Sequence, residues 1–170
     1  METLLVLIGI VAVVVAIQYI KKGISHGAAK VIYKNTNSKG VDEIHTVLTF
    51  AAPSPPESVC RAVDARLALP HEVPTLVGKM HVSESRPDLL RVALGNKLGT
   101  EWSGAAAFEP DGAGGTVGTY RVTNWTTHDG VIQSSGITSR MREVREQIAE
   151  AVTSQGGTSQ THLVPVGMRK

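Results

Sequence analysis

A chain of 170 residues has room for one domain of ordinary size. Its net charge of +2, with no Arg/Lys stripe interleaved with aromatics, argues against a nucleic-acid partner. The single cysteine, Cys60, excludes an internal disulfide and a thiolate metal cluster, and it suits a reducing compartment.

The first element in chain order is the apolar run LLVLIGIVAVVVAIQYI, Leu4 to Ile20, with Gln18 as its one polar side chain and no charge. As a helix it would measure roughly 25 Å at about 1.5 Å per residue. This reads as a transmembrane helix in an anchor of residues 1–22, with Tyr19, Lys21 and Lys22 at the membrane interface. A cleaved signal peptide fits less well, because Met1-Glu2-Thr3 carries no Lys or Arg. Lys21, Lys22, Lys30, Lys34 and Lys39 all follow the run, so the positive-inside rule puts the N-terminus outside and the C-terminal domain in the cytoplasm. Residues 23–40 read as a juxtamembrane linker.

The globular part is expected over residues 41–153. EIHTVLTFAA, from Glu43, alternates as a half-buried strand. Ser54 and Glu57 form a capping-box pattern, followed by a helix to about Ala68 with Val59, Val63 and Leu67 on one stripe. Four strand-like runs follow. The first places Leu76, Gly78, Met80 and Val82 on one face, and the second alternates around Leu90, Val92 and Leu94. The third carries Trp102, Gly104, Ala106 and Phe108, and the fourth is GTVGTYRVTNW, Gly115 to Trp125. Ile137, Met141, Val144, Ile148 and Val152 then recur at helical spacing. Residues 154–170, which include QGGTSQT, are expected to be a disordered tail. The expected fold is α+β: an N-terminal transmembrane helix, an antiparallel sheet of about five strands, one short helix and a long C-terminal helix.

The segment HTVLTFAAPSPPESVCRAV, in which a strand runs through "AP" into a helix, together with the "GGT" hairpin of FEPDGAGGTVGTYRV and the long last helix, resembles the START-like, or polyketide cyclase-like, superfamily. The resemblance covers most of residues 43–152. It implies a helix-grip fold and an apolar or lipid-like ligand between the sheet and the final helix. A cavity there would be lined by Leu48, Met80, Val92, Trp102, Tyr120, Met141 and Val144. Small residues such as Ala105, Ala106 and Ala107 argue that the space is narrow or filled.

No catalytic set stands out. The histidines, His26, His45, His71, His81, His128 and His162, lack metal-ligand spacing, so neither a metal nor another cofactor is expected. His128-Asp129 reads as part of a turn, with no partnered nucleophile. Gly112 to Gly115 lacks the Gly-Lys-Ser/Thr of a phosphate loop. The functional expectation is a non-catalytic, membrane-tethered cytoplasmic domain whose partners are the lipid bilayer and either a protein or an apolar small molecule. Two alternatives stay open. One is an accessory subunit of a membrane protein complex, with Gly9, Ala12 and Ala16 at helix-packing spacings. The other is a cyclase- or hydrolase-like enzyme of the START-like superfamily.

Overall fold

The structure, a computed structural model, describes residues 41–126 and 135–164. Residues 41–45 are helical and lead into β1 (Thr46–Ala52). There follow α1 (Pro56–Leu67), β2 (Lys79–Arg86), β3 (Leu89–Asn96), β4 (Gly99–Pro110), β5 (Thr116–Trp125), α2 (Ser135–Ser154) and β6 (Thr158–Leu163). The strands form one sheet of order β2-β3-β4-β5-β1-β6, with every neighbouring pair antiparallel.

Strand periodicity puts Leu48 and Phe50 of β1, Val82 of β2, Leu90 and Val92 of β3 on the inner face. Trp102, Ala106 and Phe108 of β4 and Tyr120 and Val122 of β5 join them. Val59, Cys60, Val63 and Leu67 of α1 meet this layer, as do Met141, Val144, Ile148, Ala151 and Val152 of α2. The two helices also touch each other, with Arg66 paired to Glu150 across them. The centre is filled by large side chains. Phe50 and Phe108 lie with ring centroids 5.5 Å apart. Gly104 is required because a Cβ there would collide with the Tyr120 ring, which lies across it.

The expected layout is corrected in several places. No helix among the described residues is long and apolar enough to cross a membrane. The run Leu4–Ile20, with Tyr19, Lys21 and Lys22, lies outside the described residues. The sheet has six strands rather than about five, and the sixth comes from the segment expected as a disordered tail. β6 is an edge strand whose six residues are all exposed, so it needs only main-chain pairing with β1 and carries no apolar alternation. The Gly-Gly of the expected disordered tail is the turn that makes this pairing possible. Gly156 has φ +74°, Gly157 N donates to Val152 O at 3.0 Å and Gly156 N to Thr153 O at 3.0 Å. These are the paired bonds of a Schellman helix end.

Three local readings also shift. Residues 43–45 are helical because Glu43 turns inward to α2 and Thr46 Oγ1 donates to Asp42 O at 2.6 Å. Ser54 does not cap α1. The N-cap is the extended Pro55, and the Ser54 hydroxyl reaches Gln155 instead, at 3.4 Å. β2 starts at Lys79, which leaves Leu76 outside the strand and exposed.

Candidate functional site

The last turn of α1 and the residues after it, the first half of β2, the end of β3 and the N-terminal half of α2 diverge at one end of the sheet. They enclose a half-open cleft of about 380 Å³. Its apolar wall is Leu67, Leu69, Met80, Leu94 and Val144, and its polar rim is Lys79, Arg140, Glu143 and Gln147. Each side chain arrives for a local reason. Ala68 ends α1 in the left-handed conformation (φ 50°), with its N–H on Asp64 O, and Leu69 follows on the departing chain. Met80 and Leu94 are directly paired on β2 and β3. Arg140, Glu143, Val144 and Gln147 are spaced at three, four and seven along α2 and so share one face. Arg140 Nη1 holds Glu143 Oε2 at 2.7 Å, which leaves the Lys79 ammonium as the rim charge with no ion pair among the described residues.

Of the seven residues assigned to a cavity from the sequence, Met80 and Val144 border this cleft. Leu48, Val92, Trp102, Tyr120 and Met141 lie deeper, fully buried between sheet and helices. The helix-to-sheet space is therefore filled along most of its length and open at one end. The sequence pattern missed Lys79, Arg140, Glu143 and Gln147. They are polar, and a search for an apolar lining passes over them. The available signal was their position beside Met80 and Val144 on the same faces.

A second hollow of about 330 Å³ lies where Glu43 meets α2, lined by Glu43, Thr46, Arg142, Arg145, Glu146, Ala149 and Thr161. It holds an ion-pair cluster in which Glu43 and Arg145 are buried and Arg142 is exposed. Glu43 accepts from Arg145 Nη1 at 2.7 Å and from Arg142 Nε at 2.8 Å, and Arg145 also donates to the Glu43 carbonyl at 2.9 Å. Burial alone would raise the Glu43 carboxyl. The hydrogen bonds and charges of Arg145 and Arg142 outweigh it and hold the group below its ordinary value.

No protein-family model and no curated protein matches the chain. Among solved structures, the crystal structure of TTHA0849 from Thermus thermophilus is similar at 16% identity, covering 65% of this chain and 95% of that one, with a TM-score of 0.33. A likeness that loose carries no argument about what the domain does.

The chemistry of the reactive groups points away from nucleophilic work at the described positions. Cys60 is buried, its Sγ donates to Arg86 O at 3.2 Å, and burial, with Asp64 and Asp88 adding, pushes its thiol up to about 11. Burial likewise raises the Tyr120 phenol, against the opposing charge of Arg145. Among the described residues no three His, Cys, Asp or Glu side chains converge as metal ligands. His71 lies 3.1 Å from Asp64, and His81 Nδ1 is on Lys79 O at 3.0 Å. His128 lies outside the described residues. Arg91 pairs with Glu84 at 3.2 Å on the outer face of the sheet, and Arg121 is exposed.

Proposed function

We propose that this is a membrane-associated, non-catalytic binding domain whose cleft takes an apolar or lipid-like molecule with a polar end. The observation that carries the reading is the cleft itself: an apolar wall, a rim charge at Lys79, and a volume of about 380 Å³, inside the range of roughly 300–1,000 Å³ usual for small-molecule sites. The START-like resemblance supports it, because ligands of that superfamily lie between sheet and final helix. The apolar run Leu4–Ile20 and the lysines after it support the membrane association.

Uptake of a fluorescent fatty-acid analogue by the full chain tests the ligand part. Wild type should bind it saturably. Met80→Trp, which fills the cleft from a half-buried position, should abolish uptake with little change in melting temperature. Met141→Trp, in the filled core beneath, should instead cost about 1–3 kcal/mol by overpacking. A wild type that takes up no probe, or a Met80→Trp variant that binds as wild type does, refutes the cleft as the binding site.

A further inference from the structure

Leu98, Leu76 and Val77 are 85%, 77% and 68% exposed, more than any other large apolar side chain among the described residues. They come from two separate segments, the β3–β4 turn and the loop before β2, and the structure holds these segments together. Asn96 Nδ2 donates to Leu76 O at 2.6 Å, Leu98 N donates to Asn96 Oδ1 at 2.8 Å, and Lys97 N donates to Pro74 O at 2.9 Å. The patch is therefore a built apolar tip, with its main-chain polar groups turned inward onto one another. Exposed Lys79 and Lys97 flank it, the carboxylate of exposed Glu101 lies beside Gly78, between Val77 and Lys79, and exposed Glu72 lies farther along the loop before β2.

The strand directions decide where the rest of the chain enters. β1 begins, β5 ends, β4 begins, β3 ends and β2 begins at one end of the sheet. The ring of His45, just before β1, meets Trp125 at the end of β5, with centroids 6.3 Å apart. The segment that carries Leu4–Ile20 and five lysines thus joins the domain at the end that bears the apolar tip. A chain as long as residues 23–40 spans at most about 65 Å even when fully extended.

From this shared end we propose that Leu76, Val77 and Leu98 insert into the interface of an anionic lipid bilayer, with Lys79 and Lys97 on its headgroups. Aliphatic side chains exposed in a cluster and flanked by two lysines, with one carboxylate at Glu101, have the composition of a surface that partitions into a lipid interface. Lys79 of the cleft rim and Leu94 of its wall both belong to this end, so the cleft mouth lies beside the bilayer and receives its ligand from it. The inference rests on the membrane association proposed above.

The test uses the full chain on vesicles of phosphatidylcholine and phosphatidylserine containing brominated acyl chains. One added cysteine at a time, Leu98→Cys, Leu76→Cys or Ala113→Cys, carries an environment-sensitive fluorophore. Ala113 lies in the β4–β5 turn at the opposite end of the sheet. Cys60 is retained, since its buried thiol labels slowly. Labels at 98 and 76 should be quenched several-fold more than the label at 113, and the difference should shrink when phosphatidylserine is omitted. Equal quenching at both ends, while the chain still floats with the vesicles, overturns the inference and leaves the membrane association standing. A chain that does not float at all overturns both. A concentration-dependent blue shift at 98 before vesicles are added shows instead that a second copy covers the tip, and this also overturns the inference.

Discussion

The two ends of the sheet are built by opposite rules. At the β4–β5 end the chain closes on itself. Asp111 Oδ1 accepts from Ala113 N at 2.7 Å and from Gly115 N at 2.8 Å, and Thr116 Oγ1 donates to Ser54 O at 2.7 Å. Phe50 and Phe108 fill the space beneath. At the other end, the loops that carry Leu76, Val77 and Leu98 hold polar groups onto one another while those three side chains face outward, and Met80 and Leu94 border the cleft. One end is closed over a packed core and the other leaves apolar surface uncovered. The contrast puts the proposed binding surface where the helices diverge from the sheet and apolar burial is incomplete.

The strongest way to break this contrast is Phe108→Ala. Removing a fully buried aromatic from the closed end should cost about 3–5 kcal/mol, read as a lower denaturant midpoint with unchanged slope. A loss near zero would mean that the closed end is not where stability resides.

Next is the ion-pair cluster that ties the entering chain to α2. Glu43→Ala leaves Arg145, itself buried, without its carboxylate and should cost about 3 kcal/mol. The pH dependence sharpens this. The folded carboxyl lies below its ordinary value of 4.5, so its contribution is fully present above that value and is lost as pH falls through the lower folded one. Wild type should therefore lose stability in the acid range below 4.5, and Glu43→Gln should lose less of it. Parallel acid curves for the two proteins would show that Glu43 is not the group responsible.

The smallest effect belongs to the open end. Leu98→Ser changes a side chain that is almost fully exposed, and the melting curve should move by no more than about 0.5 kcal/mol. The binding of vesicles should weaken all the same. A large loss of stability would reveal that the tip is structural after all.

The inner faces of the strands and the buried stripe of α2 were legible in the sequence, because burial of one face imposes a period of two on strands and about 3.6 on helices. The START-like resemblance placed Leu48, Val92, Trp102, Tyr120, Met141 and Val144 between sheet and helix, where they are buried, and the hairpin of FEPDGAGGTVGTYRV was marked by its turn residues. Periodicity tells which side of an element is buried, and it cannot tell whether the buried space is filled. Only the assembled structure shows that Trp102 and Tyr120 occupy the middle while the space opens at Met80 and Val144.

The same limit explains β6 and Glu43. An exposed edge strand forms through main-chain hydrogen bonds that every sequence possesses, so TSQTHL carries no pattern that could announce it. A glutamate ahead of a strand becomes part of the interior only when two arginines about a hundred residues later turn toward it. Local sequence determined the faces, the strand turns and the helices α1 and α2, because these follow from each residue's own conformational and burial preference. The filling of the core, the sixth strand, the buried ion pairs and the meeting of the cleft, the apolar tip and the entering chain at one end were decided by contacts between distant segments, which exist only once the sheet has closed.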